Sequence, residues 1–357
     1  MQLVTAALDA SEAVLAARQE IASAVVAIEF ALHPELVQRH GAGGREKSLQ
    51  DALYHLSFLA QSLALDRPAL FAQYVAWVKV VLVRRGVGEQ TLADHLGCLA
   101  RVIRERIPGA AGVAAAGIVD EAIATLASTP DDIPTFIVDG GAHAGLARHY
   151  LDALLRGERR EAATHVRQAL AQGLPLQSLY LHVFAPAQRE LGRLWQLNEI
   201  SVAQEHFCSA ATQLIMSQVS GAIFEGPRGE QRLVAACVAG DLHEIGLRMV
   251  ADFFEMSGWR TFYLGANMPH GGVVETIVAT RSSMLLVSAS IGLHVSAVRD
   301  LIGLVRAETR CRGVRILVGG HPFNTDPSLW RTVGADGHAA DARLAVRLSE
   351  ELSAEAA

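Results

Sequence analysis

Apolar residues recur along this chain at two different periods, and the change of period divides it. Through the first two thirds they fall at helical spacing. Leu49, Leu53, Leu56 and Leu63 mark one helix, with Ser48 as its cap. Asp66 caps a second, with Pro68 in its first turn, where the missing N–H costs little; that helix stops near Gly86. A third runs from about Thr91 through Leu92, Leu96, Leu99 and Ile103 to a break at Pro108-Gly109. Residues 109–118 are rich in Ala and Gly, and Ser128-Thr129-Pro130-Asp131-Asp132 reads as a linker, which places a boundary near 135. Four more helices are predicted at about 143–156, 158–172, 175–196 and 200–224, and their short connections suggest an antiparallel four-helix bundle. Gly226-Pro227-Arg228-Gly229 marks the next boundary.

Beyond it the apolar runs become short and unalternating. Strands are predicted at 233–238, 261–264, 284–288 and 314–318, with helices near 243–257, 271–281 and 295–308 between them and a last short strand and helix after them. Strict strand–helix alternation with wholly apolar strands means a parallel sheet covered on both faces, an α/β Rossmann-like (flavodoxin-like) layer. The expected organisation is a helical domain over 1–135, a four-helix bundle over 136–228 and an α/β domain over 229–357.

Composition narrows the function. With 357 residues, 51% of them hydrophobic and only 19% charged, the chain can build two or three cores. The net charge of −6 comes from interspersed acidic and basic residues, so no clustered positive field for nucleic acid is expected. Arg84-Arg85 and the 101–106 stretch read as ordinary helix ends. The cysteines, Cys98, Cys208, Cys237 and Cys311, form no CxxC pair, which argues against a disulfide framework or a zinc site. No signal peptide and no membrane-spanning stretch is expected, and the predicted location is the cytoplasm.

Ligands of parallel sheets sit outside the carboxyl ends of the strands. Directly after the first strand comes Gly240-Asp241-Leu242-His243-Glu244-Ile245-Gly246. A neutral His243 can ligate a metal there, Asp241 can fix its tautomer through the other ring nitrogen, and Gly246 lets a bulky group pass close to the helix. Alone, the string is better explained by a capping Asp and a surface His. The other strand ends change the weighting: Ser288-Ala289-Ser290 follows the third strand, Gly319-Gly320 the fourth and Gly265-Ala266-Asn267 the second. No G-x-G-x-x-G follows the first strand, which disfavours a dinucleotide site.

With these residues the stretch 230–350 resembles the cobalamin-binding domain family. The resemblance implies that His243 is the lower cobalt ligand, with Asp241 as its partner. It also implies that Gly246, Ser288, Ser290, Gly319 and Gly320 line the cavity of the nucleotide tail. Upstream, Trp195 is followed after nine residues by Glu205-His206, a spacing that resembles the capped module of light-sensing B12 proteins of the CarH type over about 140–350. That implies a tryptophan packed over an adenosyl group, with Glu205 and His206 on its sugar, and loss of a photolabile cobalt–carbon bond read out as a helix rearrangement.

Two departures limit the likeness. Gln196 stands where the best-known members carry a second histidine ligand, leaving His182 and His206 as substitutes. Residues 1–135 are not basic and show no recognition helix. The chain reads as a stand-alone, non-enzymatic sensor similar to the photocobilin group, which pairs B12 with biliverdin. The expected cofactor is adenosylcobalamin, and the expected partner is a protein or a second copy in a homo-oligomer, with no direct nucleic-acid or membrane binding. The alternative is a corrinoid carrier for methyl transfer; a mutase is disfavoured, since no substrate barrel is present.

Overall fold

A computed structural model describes residues 2–32, 35–224 and 228–354. The chain divides into two compact units, Met1–Asp132 and Ile133–Ala357.

The first unit is helical: α1 (Gln2–Ala16), α2 (Arg18–Leu32), α3 (Glu35–Ala64), α4 (Pro68–Val83), α5 (Glu89–Arg106) and α6 (Gly109–Thr125). Leu56 and Leu59 of α3, Phe71 of α4, Leu96, Leu99 and Ile103 of α5 and Val119 of α6 share one core. Each such side chain contributes roughly 1.5–3 kcal/mol by leaving water. Three local expectations are corrected. Ser48 lies inside α3 and caps nothing. The N-cap position of α4 is held by Arg67, whose side chain makes no capping bond, while Asp66 takes the left-handed conformation one position earlier. The Ala/Gly-rich stretch is the helix α6, and Gly109–Ser128 is long and apolar enough by length and composition to cross a bilayer, contrary to expectation. Its buried positions Gly112, Ala115, Ala116, Val119 and Ala122 fall on one face, as in a helix packed on a protein core.

The second unit joins a helical layer to a sheet. The helices are α7 (Ala144–Leu155), α8 (Arg159–Ala171), α9 (Leu176–Leu179), α10 (Ala185–Gln196) and α11 (Val202–Val219). A π-helical turn, Tyr180–Phe184, makes α9 and α10 one continuous rod, so the layer is a four-helix bundle. The sheet elements are β1 (Arg232–Val238), α12 (Ile245–Met256), β2 (Arg260–Met268), α13 (His270–Thr280), β3 (Met284–Ser288), α14 (Val295–Ala307), β4 (Arg315–Gly319), α15 (His321–Thr325), α16 (Leu329–Val333), β5 (Gly337–His338) and α17 (Ala342–Ala354). All strand pairs are parallel, in the order β2-β1-β3-β4-β5. This is the flavodoxin-like order, whose ligand crevice opens where the winding reverses, between β1 and β3. The predicted break at Gly226-Pro227 lies outside the described residues.

Bundle and sheet domain share one core. Met249 and Phe253 of α12 pack with Tyr180, Phe184 and Ile215 of the bundle. The Tyr180 hydroxyl donates to Asp252 Oδ2 at 2.8 Å, and Arg248 donates to Ser217 Oγ at 2.9 Å.

Candidate cofactor site at the sheet switch point

The loop leaving β1 is folded by its own backbone. Gly240 sits at φ +88°, where a side chain would be strained, and its N–H donates to Asn267 Oδ1 at 2.8 Å. In return the Asn267 N–H donates to the Asp241 carbonyl at 2.9 Å. This exchange holds Asp241 under the loop, where its side chain is 0% exposed. Asp241 Oδ1 accepts from the His243 N–H at 3.0 Å and from His243 Nδ1 at 2.8 Å, while Oδ2 accepts from the Ser290 N–H at 2.5 Å. Burial alone would push the carboxyl up; the donors from His243, the nearby His294 imidazole and the Ser290 N–H outweigh it and hold Asp241 well below the usual carboxylate range. The same hydrogen bond raises the pKa of His243 against the opposing effect of burial, and Glu205 of the bundle adds to the rise.

The carboxylate accepts from Nδ1, so the lone pair of the neutral ring is on Nε2. That imidazole is 64% exposed. Gly246 lies in the first turn of α12, and a Cβ there would meet nothing within 4 Å. At Cys237, near the end of β1, burial, then Asp241 and Glu244, push the thiol up to about 12.

The remaining sheet residues line the strand exits. Ser288 pairs with Cys237 on one side and Gly319 on the other. Gly320 is at φ +104°, and a Cβ there would lie 2.0 Å from the Ala289 carbonyl oxygen, so this position takes glycine alone. Together with the Ala289 N–H to Gly319 carbonyl bond of 3.1 Å, it keeps the β3 and β4 exits in contact. Gly265-Ala266-Asn267 lies within β2, where the register with β1 is irregular, rather than after the strand.

On the bundle side, α11 starts with a capping box between Ser201 and Gln204. Glu205 accepts from Ser209 Oγ at 2.6 Å and stands 3.1 Å from Nδ1 of the exposed His206. Trp195, at the end of α10, is partly buried against the bundle core. His182 lies on the π-turn with its ring 6.0 Å from that of His143. The structure thus joins Asp241, His243 and Ser290 directly, sets Ser288 beside Gly319, and pairs Glu205 with His206; Trp195 belongs to the neighbouring helix.

Sequence reasoning missed two neighbours of the site and the role of a third residue it had named. Asn267, named only as following the second strand, carries the loop exchange at a φ of +51°. His294 is half-buried with its Nδ1 out of solvent, 3.7 Å from Asp241 Oδ2, an electrostatic contact too long for a hydrogen bond. Val202 is an exposed apolar residue in the first turn of α11, beside Glu205 and His206.

Among the described residues no three His, Cys, Asp or Glu side chains come together to hold a metal ion. A single outward imidazole cannot hold a bare ion, but it suits a metal that brings its other ligands in a macrocycle. The open face over Gly246 and the anchored His243 therefore fit a corrinoid.

Comparison with known proteins agrees. Residues 231–347 match the family model of the B12 binding domain, and residues 146–220 match a second model with the same description. Dimethylamine corrinoid protein 3 of Methanosarcina acetivorans is 23% identical over 213 residues, covering 58% of this chain and 97% of that protein. The HTH-type transcriptional repressor CarH of Myxococcus xanthus is 25% identical over 183 residues, covering 51% of this chain and 60% of the repressor. The structure of the Methanosarcina barkeri monomethylamine corrinoid protein superposes with a TM-score of 0.53 at 21% identity, covering 59% of this chain and 100% of that one, a likeness of fold.

Proposed function

We propose that this cobalamin-binding chain is a light sensor, with His243 as the lower cobalt ligand and the bundle closing the opposite face. The observation that carries this reading is the Glu205–His206 pair opening α11, next to the end of α10 that bears Trp195, with the charge of Glu205 felt at His243. Asp241 holds the His243 ring and keeps the proton on Nδ1. Gly246, Ser288, Ser290, Gly319 and Gly320 line the space for the nucleotide tail. When bound, adenosylcobalamin supplies a light-labile cobalt–carbon bond. Trp195, Glu205 and His206 would hold its upper group, and the loss of that group would free them to rearrange. Biliverdin as a second chromophore is proposed on the resemblance to the photocobilin group, with no residue assigned to it. The output is a change of assembly, with a second copy or another protein as partner, and no catalytic residue is assigned.

The test is reconstitution with adenosylcobalamin in the dark, with and without biliverdin, followed by green light. Absorption and elution volume are expected to change; if both stay constant in the loaded protein, the reading fails. A second reading, a corrinoid carrier for methyl transfer, is favoured by the match over 97% of a dimethylamine corrinoid protein. Methyl acceptance by the protein's cob(I)alamin from a donor system would establish it.

A further inference from the structure

The chain enters the second unit through an irregular arm, residues 133–139, and that arm is tied to the helix that carries Trp195. Arg193 Nε donates to the Ile133 carbonyl at 2.5 Å. The Phe136 N–H donates to Glu190 Oε2 at 2.8 Å, and Glu190 Oε1 takes Arg193 Nη1 at 2.8 Å. Further along, Arg148 of α7 donates to the Ile137 carbonyl at 3.1 Å and pairs with Asp139. Ile137 is buried in the bundle core.

Glu190 is the informative member. It is only 6% exposed, and a buried carboxylate is tolerated only when its oxygens are paired. One oxygen is satisfied from within α10, the other by the backbone of the arm. The arm cannot lift away without leaving that oxygen buried and unpaired. Arg193 lies two residues before Trp195, in the same last turn of α10. That turn cannot shift without dragging the arm or breaking its bonds.

On the other side of the junction the first unit holds its own end as firmly. Buried Lys79 donates to the carbonyls of Leu126 at 2.8 Å and Thr129 at 2.6 Å, and pairs with Glu89 at 2.7 Å and Asp131 at 3.1 Å.

We infer that residues 133–139 form a strap that follows the last turn of α10, with Glu190 and Arg193 as the positioning residues, so that a change at Trp195 alters the strap at the junction of the two units. The source of that change rests on the light-sensing reading; the strap itself does not.

Hydrogen–deuterium exchange of the full chain tests it in two sets. In the apoprotein, Glu190→Gln and Arg193→Gln are expected to speed exchange over 133–138 about tenfold, with the middle of α11 unchanged. Trp195→Ala is expected to speed the last turn of α10 and the strap together. Should Glu190→Gln lose its cooperative melting transition, the partly exposed Arg193→Gln decides the first set. Strap exchange at the wild-type rate in either set overturns the inference. With adenosylcobalamin bound, strap and α10 are expected to change together on illumination. An absent spectral change there would count against the light-sensing reading alone, because both apoprotein sets stand without it.

Discussion

Two histidines, one in each unit, make nearly the same local bond and end in opposite states. His55 in α3 has its Nδ1 3.0 Å from the Tyr74 hydroxyl; His243 has its Nδ1 2.8 Å from Asp241. His55 is buried in the helical core, next to His95, and burial first, then the charge of His95, lowers its pKa well below the ordinary value. His243 looks out from the top of a sheet, and its carboxylate partner raises its pKa. The difference teaches that a bound Nδ1 does not make a ligand. What matters is whether the partner is ionised and whether Nε2 reaches open space.

The largest expected effect is on the exposed member. His243→Ala should abolish nitrogen coordination of bound cobalamin, read as loss of the nitrogen splitting in the electron paramagnetic resonance of the cob(II) form. His55→Gln should leave that signal intact. If both variants kept it, the contrast between the two histidines would collapse.

Asp241→Asn tests the partner instead of the ring. The amide keeps the shape but loses the charge and presents donors where acceptors are needed. Removing such an outer partner typically costs about 10–100-fold in metal affinity. Titration calorimetry with cobalamin should show a loss in that range, smaller than that of His243→Ala.

In the first unit the same operation costs stability. Tyr74→Phe keeps the ring stacked on Phe58, whose centroid is 3.7 Å away, but leaves His55 Nδ1 buried without a partner. A lost buried partner costs roughly 1–3 kcal/mol, visible as a lower Tm of the first unit. Acid should act in the same direction. The unfolded chain protonates His55 near the ordinary 6.5, while the folded core resists. Its contribution is therefore complete above 6.5 and is lost as pH falls from there toward the folded value. His243 behaves oppositely: its pairing contributes fully below 6.5 and is lost as pH rises through its raised value. Calorimetry between pH 7.5 and 5.5 should show the first unit losing Tm relative to the second, and His55→Gln should remove the first unit's loss.

How much of this was legible in the sequence follows from where the information resides. The βα alternation and the bundle helices were readable because apolar period is local; the third predicted strand, 284–288, coincides with β3. Asp241 and His243 stood out because two residues of one short loop carry their own spacing. Ser48 misled because a polar residue before an apolar run caps a helix only if the helix begins there, and α3 had begun at Glu35; Asp66 misled by one position, because α4 begins at Pro68 and Arg67 directly precedes it. The role of Asn267 and the presence of His294 were hidden for another reason. They reach Asp241 from β2 and from the turn before α14, across 26 and 53 positions of sequence respectively, and only the folded sheet brings them together. Glu190 was hidden likewise, being one more polar residue on an amphipathic helix until the arm folds onto it.

The smallest predicted effect is the one that sharpens the comparison most. His294 is a second imidazole beside the same carboxylate, half-buried between the extremes of His55 and His243 and near Asp241 like His243, yet at 3.7 Å it falls short of a hydrogen bond. Three shorter contacts already satisfy Asp241. Replacing the ring by a smaller amide, His294→Asn, should therefore change cobalamin affinity by only about threefold, under a kcal/mol on the scale where 1.4 kcal/mol is tenfold. A loss as large as that of Asp241→Asn would mean that the second imidazole closes onto the carboxylate when the cofactor enters. The useful distinction between the two regions would then no longer be open against buried, but the presence or absence of a carboxylate for the histidines to share.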